Sequence, residues 1–148
     1  TVDAIVCLLD SINFITSFQD VKRVFKLVHT YLNPGGLFIF DVNSPYKLST
    51  LLGNETFYEL GEEISWVWQN TYDSSKKITT FDLTFFVQQE NGLYERFDEL
   101  HKEKIFCGEE LINALDHAGL NVLGEFGNLN FHPPVAEEER IFYIAQKA

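Results

Sequence analysis

Leu32-Asn33-Pro34-Gly35-Gly36-Leu37-Phe38-Ile39-Phe40-Asp41 is the stretch whose reading decides the fold. Proline cannot continue a helix, and glycine adopts the backbone conformations of a tight C-terminal turn, so a helix running into Asn33 ends there. The apolar run Leu37–Val42 that follows has the pattern of a strand buried on both faces of a parallel sheet, with Asp41 and Asn43 marking its end. Upstream, Val21, Val24, Phe25, Val28 and Leu32 recur at helical spacing and form one apolar stripe. Ser17 can cap the start of this helix, and Asp20 lies near the positive end of its dipole. Further upstream, Ala4-Ile5-Val6-Cys7-Leu8-Leu9 is a second apolar run of the buried-strand type, broken by Asp10-Ser11-Ile12-Asn13. Strand, helix, strand is a βαβ unit, for which a right-handed parallel crossover is expected.

Downstream the pattern changes. Pro45 to Leu52 reads as a short helix. From about Ile64 to Phe106 the residues alternate with period two, interrupted at Asp73–Lys77 and at Glu90-Asn91-Gly92, the latter a strong hairpin signal. This predicts three antiparallel strands, Ile64–Tyr72, Ile78–Gln89 and Tyr94–Phe106. Gly108 to Ala118 is predicted helical, with Leu111, Ile112 and Leu115 inward and Gly119 as its stop. Asn121–Phe126 and Ile141–Ala145 are predicted strands, separated by a loop, Asn128–Glu139, that holds Pro133-Pro134 and three consecutive glutamates. No internal repeat is visible.

Composition narrows the class. The 148 residues, 45% hydrophobic and 15% aromatic with 14 Phe, can form one well-filled core and exclude disorder and low complexity. No apolar run is long enough to cross a bilayer. The 22 acidic against 11 basic residues give a net charge of -11, which repels phosphate backbones and argues against nucleic acid as a partner. Cys7 and Cys107 form no disulfide framework and no metal cluster; both are expected to be buried reduced thiols, which points to the cytoplasm. The chain enters its first buried strand within three residues and contains no Met, so it is expected to be a fragment that continues upstream.

Four segments in this order resemble the C-terminal part of a class I S-adenosylmethionine-dependent methyltransferase. Asp3–Asn13 looks like the family's fourth strand and following loop, and Leu32–Asp41 like the Leu-x-Pro-Gly-Gly turn into its fifth strand. Glu99-Leu100-His101 resembles a Glu-x-His signature of a bacterial small-molecule-type subgroup with an antiparallel insert after the fifth strand. Leu111–Leu120, ending in Ala118-Gly119-Leu120, resembles the helix before the sixth strand. The resemblance implies an α/β, Rossmann-like sheet made of the family's strands 4, 5, 6 and 7 in the order 4-5-7-6, with the seventh antiparallel. Residues 1–44 and 107–148 would form the core part and 45–106 a three-stranded substrate-side insert. The family's Gly-rich cofactor loop and its ribose-binding acid have no counterpart here, since Gly35-Gly36 follows a helix and precedes a strand. Strand four would then lack its neighbour, leaving the apolar Val2–Leu9 edge open for self-association.

Candidate site residues follow from position. Leu9, Asp10 and Asn13 lie just past the carboxyl end of a parallel strand, where open α/β sheets bind ligands; the resemblance puts this stretch beside the methionine end of S-adenosylmethionine, while capping of the next helix is the alternative. Asp41, Asn43 and Tyr46 share that rim, with ordinary turn chemistry as an equal reading. Trp66, Trp68 and Tyr72 share a strand face and could roof a substrate pocket or simply pack the core. Glu99 and His101 share a face as a base or substrate-binding pair, or as a polar pair on a wet surface. His29 and His117 read as surface positions, His132 as a loop residue, and Glu137–Glu139 as a solvated turn; the four scattered histidines make no metal site. No residue is assigned as catalytic.

The functional expectation is methyl transfer from S-adenosylmethionine to a small molecule by the intact enzyme. The alternatives are a non-catalytic interaction or dimerisation module, and a different nucleotide-binding enzyme on the same fold.

Overall fold

A computed structural model describes all 148 residues. Two four-stranded sheets organise the chain. The first runs β1 (Val2–Cys7), β2 (Leu32–Asn43), β8 (Arg140–Lys147), β7 (Leu120–Gly127), in that spatial order. β1 and β2 are parallel, joined by helix α1 (Phe18–Tyr31), and β8 is antiparallel to both β2 and β7. The order expected from the resemblance, 4-5-7-6 with the seventh antiparallel, is the one observed.

Local chemistry explains the frame. α1 buries Val21, Phe25 and Val28, the stripe expected from their spacing. Ser17 occupies the N-cap position through its backbone only; its side chain makes no capping bond. Pairing of Leu32 with Val2 draws the start of β2 back to the end of the helix, and the ladder slips between Val2 and Ala4 as the Pro-Gly-Gly turn passes. Gly35 has φ +78°, and a Cβ on Gly36 would lie 2.9 Å from the Asn33 carbonyl and 3.1 Å from the Asp3 carbonyl. Both glycines are required there, one for conformation and one for space.

One core lies between this sheet and the two helices, α1 and α2 (Gly108–His117). Phe38 stacks on Phe40 (4.8 Å between centroids), and Phe40 on Tyr143 (5.0 Å). Leu111, Ala114 and Leu115 of α2 join them. Full burial of each large side chain contributes about 2 kcal/mol. Alternation sends Ile39, Phe142 and Ile144 to the opposite face, where Val6, Leu8 and Phe131 complete an apolar groove of about 380 Å³. β1, expected to be buried on both faces, is an edge strand, and Val6 is 56% exposed because it points to the sheet face opposite the two helices.

The second sheet runs β3 (Thr56–Leu60), β4 (Ile64–Asp73), β5 (Ile78–Gln88), β6 (Tyr94–Lys104), antiparallel throughout. It has four strands, where three were expected. β3 is five residues long and only Phe57 of it is partly buried, so no period-two signal marks it; pairing with Ser65–Gln69 of β4 creates it. A single wide helical turn, Lys47–Leu51, packs Leu48 against Phe81 and Ile105. Cys107, expected to be buried, is exposed at the N-cap of α2, where its sulfur accepts the Glu110 N–H and its own N–H donates to the Glu110 carboxylate at 3.0 Å. Glu138 departs from the solvated-turn expectation: it is buried, with Oε1 accepting from Asn128 Nδ2 at 2.6 Å.

Candidate functional site

The polar residues of the chain converge where β1 and β2 end. After β1 the backbone turns through Leu9 (φ +59°) and Asp10 (φ +52°), two consecutive non-glycine residues in the left-handed region. Such a pair persists only where surrounding bonds over-determine it. Here they do. The Asp10 N–H donates to Asp41 Oδ2 at 3.0 Å, Ser11 Oγ donates to the Leu8 carbonyl at 2.7 Å, and Arg140 Nη2 donates to Asp10 Oδ1 at 2.8 Å. Arg140 also donates from Nη1 to Asp41 Oδ2. Burial opposes the guanidinium charge, but Asp41 and Asp10 outweigh it and hold its pKa above the ordinary value.

Asp41 is 1% exposed, and its Oδ1 accepts no hydrogen bond. It lines a cleft of about 640 Å³ with Leu8, Leu9, Asn130, Arg140 and Phe142. A buried carboxylate oxygen without a donor is costly and marks a place where a donor or cation fits. Burial, then Asp41, pushes the Cys7 thiol up, so it stays protonated.

Asn13 does not face that cleft. It is fully buried: Nδ2 donates to the carbonyls of Lys104 (3.0 Å) and Asn43 (3.3 Å), and Oδ1 accepts the Asn43 N–H (2.9 Å). Its side chain is consumed in joining the two sheets. The reason is that the polar break after β1 runs beneath the end of β6, whose Lys104 N–H donates to the Asn13 carbonyl at 2.7 Å. Tyr46 is half-buried at the start of the helical turn, on the expected rim.

The antiparallel sheet brings the remaining candidates to one face. Directly opposed residues project to the same side, and the rows are Trp66–Phe85–Phe97, Trp68–Leu83–Glu99, Asn70–Phe81–His101 and Tyr72–Thr79–Glu103. Trp68 meets Phe81 edge-on at 5.5 Å and Phe57 at 5.4 Å, and its Nε1 is buried without a partner. Trp66 Nε1 donates to Glu59 at 3.2 Å. Tyr72 and Trp68 also border the small core around Leu48. His101 Nε2 lies 3.0 Å from Glu99 Oε2, and the ring meets Phe14 edge-on at 6.0 Å.

Two residues were missed by the sequence reading. Glu103 is 3% exposed and accepts from Asn43 Nδ2 at 2.8 Å. Burial, reinforced by Asp10 and partly countered by Asn43 and Lys47, pushes its carboxyl up to about 7. Its signal was present, since Glu99, His101 and Glu103 continue one period-two row. Arg140 left no comparable signal; it follows a glutamate run, and only the antiparallel pairing Asn43↔Arg140 brings it to the rim.

No protein-family profile matches the chain. It is 35% identical over 147 residues to the Bacillus subtilis protein named "Putative methyltransferase YqeM", covering 99% of this chain and 59% of that one. An S-adenosylmethionine-dependent methyltransferase of known structure from Clostridium acetobutylicum superposes with a TM-score of 0.90 at 36% identity, covering 98% of this chain and 58% of that one. CalS10, an amino pentose methyltransferase from Micromonospora echinaspora solved with S-adenosylmethionine bound, shares the fold (TM-score 0.77) at 18% identity. The chain spans about three fifths of the length of these relatives. These findings bear out the resemblance read from the sequence: over nearly its whole length the chain is similar to part of S-adenosylmethionine-dependent methyltransferases.

Proposed function

We propose that the protein carrying this chain transfers a methyl group from S-adenosylmethionine to a small molecule, and that this chain forms the methyl-side rim and the substrate-side roof. One observation carries the reading: a strained turn at the carboxyl end of β1 is pinned beside Asp41, whose Oδ1 is buried, unpartnered and on the wall of a cleft. The sequence relationship supports it. Bound S-adenosylmethionine supplies a methyl group on a positively charged sulfur. Leu9 and Asp10 would line its methionine end, and the acidic excess of Asp10 and Asp41 over Arg140 suits a cation.

The roof would exclude water and orient the acceptor, the main requirement of an in-line transfer. Trp66, Trp68, Tyr72 and Tyr46 would form its aromatic wall. With Nε2–H donated to Glu99, Nδ1 of His101 is the nitrogen left to accept a proton from the acceptor. The two unpaired cysteines, Cys7 and Cys107, support a cytoplasmic setting. The acidic surface favours a small molecule over nucleic acid, and no helix is long and apolar enough to cross a membrane.

Calorimetry with S-adenosylmethionine on the full-length protein and on this chain in parallel tests the reading. Binding by the full-length protein alone assigns this chain to the substrate side and opens a screen of small acceptors. Absence of binding by both overturns the methyltransferase reading and favours an interaction module.

A further inference from the structure

We propose that Glu103 is a positioning residue: it locks the roof sheet to the rim and thereby fixes the Leu9–Asp10 turn against which the cofactor is read. The proposal rests on the methyltransferase reading. Its geometry is a closed set of bonds from four elements. Glu103 Oε2 accepts from Asn43 Nδ2 at 2.8 Å, and Asn43 Oδ1 accepts from Lys47 Nζ at 3.0 Å. The Asn43 N–H donates to Asn13 Oδ1 at 2.9 Å, Asn13 Nδ2 donates to the Lys104 carbonyl at 3.0 Å, and the Lys104 N–H returns to the Asn13 carbonyl at 2.7 Å. Glu103 and Lys104 end the roof, Asn13 belongs to the loop after β1, Asn43 ends β2, and Lys47 begins the helical turn.

A glutamine would satisfy Asn43 equally without a buried ionisable group, so the bond to Asn43 alone does not account for a carboxyl here. Asp10 supplies the rest. The charged groups facing Glu103 are Asp10, from the loop after β1, and Lys47, from the helical turn; Arg140 and Asp41 stand behind Asp10. The Asp10 charge helps burial raise the Glu103 carboxyl, and neighbouring carboxylates favour keeping a proton on one of them. With that proton on Glu103, no repulsion opposes Asp10, whose carboxylate Arg140 holds and whose carbonyl accepts the Asn13 N–H at 2.8 Å, the bond that ties the turn to the lock. Without it, two carboxylates repel at the root of the strained turn, and the lock loosens.

The test uses the full-length protein as wild type, Glu103→Gln and Glu103→Ala. S-adenosylmethionine affinity is read by calorimetry on either side of neutrality, with amide hydrogen exchange at Asn43 and Lys104. Gln can accept from Asn43 and carries no ionisable charge, so it should keep the wild-type low-pH affinity and lose its pH dependence, while the wild type weakens several-fold as pH rises. Glu103→Ala should bind about tenfold more weakly at every pH, the scale of one lost hydrogen bond, and lose protection at both amides. Wild-type affinity and protection in Glu103→Ala, or a Glu103→Gln profile that follows the wild type, overturns the proposal. Should Glu103→Ala not fold, the Glu103→Gln profile decides alone. A wild type that binds no S-adenosylmethionine overturns the methyltransferase reading instead; the amide exchange then decides the lock separately.

Discussion

Arg140 Nη2 donates to Asp10 Oδ1 at 2.8 Å across 130 positions of sequence, and its Nη1 donates to Asp41. One guanidinium at the start of β8 therefore ties together the ends of β1 and β2. Its planar fork serves two carboxylates from two separate nitrogens in a fixed geometry, which the single nitrogen of a lysine cannot reproduce. Removing it leaves Asp41, 1% exposed, with an uncompensated charge.

Arg140→Ala should therefore destabilise the chain by about 3 kcal/mol, as breaking one side of a buried ion pair does. Arg140→Lys should recover only part of this. Urea denaturation followed by circular dichroism measures both, and a loss below the error of the fit for Arg140→Ala would show that the triad contributes nothing to holding the rim.

Asn13→Ala should cost about 2–3 kcal/mol, because it strands the buried Asn43 N–H and Lys104 carbonyl together. The same denaturation experiment reads it. Asn13→Asp should be no better, since a carboxylate cannot donate to the Lys104 carbonyl.

Gly36→Ala places a methyl 2.9 Å from the Asn33 carbonyl and 3.1 Å from the Asp3 carbonyl, both backbone atoms that cannot swing aside. A loss of about 1–3 kcal/mol is expected. A melting temperature equal to that of the native chain would count against the close approach of β1 to the Pro-Gly-Gly turn.

Stability should fall as pH rises toward neutrality. Glu103 is raised from 4.5 to about 7 by burial and by Asp10, so the native state binds this proton more tightly than the unfolded chain. Between those values the folded form takes up protons and the unfolded form does not, so its stability is greatest at the acid end of the window and declines through it, by up to about 3 kcal/mol. Above about pH 7 the loss is complete. Glu103→Gln should flatten this slope in denaturation curves collected across the window; an unchanged slope would assign it to other groups.

The open edge of β1 should drive association of the isolated chain. Val6 is 56% exposed on that strand, and Val6→Lys puts a charge where natural edge strands carry one. Light scattering should show fewer oligomers for Val6→Lys, with the melting temperature little changed. Equal scattering for both would move the association elsewhere.

The βαβ unit, the strands β4, β5 and β6 of the antiparallel sheet, α2 and the final strand pair could be read from residue order alone. Their determinants are local: the 3.6-residue stripe of Val21, Phe25 and Val28, the stop at Pro34-Gly35-Gly36, and the period-two alternation around Asn91-Gly92. The gathering of Trp66, Trp68, Tyr72, Glu99 and His101 on one face also follows from local alternation, once the register of β4, β5 and β6 is set. β3 lay beyond such a reading, because a five-residue exposed segment becomes a strand only through the partner that completes its hydrogen bonds. The same limit hid the roles of Asn13, Glu103 and Arg140. Whether a polar side chain meets solvent, a ligand or a buried carbonyl depends on groups that the chain brings together from far apart: Asn13 to Lys104, Asn43 to Glu103, Asp10 to Arg140. Residue order determined which elements form and in what sequence; only tertiary structure decided which polar groups meet at the rim, because desolvation and pairing are properties of the assembled neighbourhood.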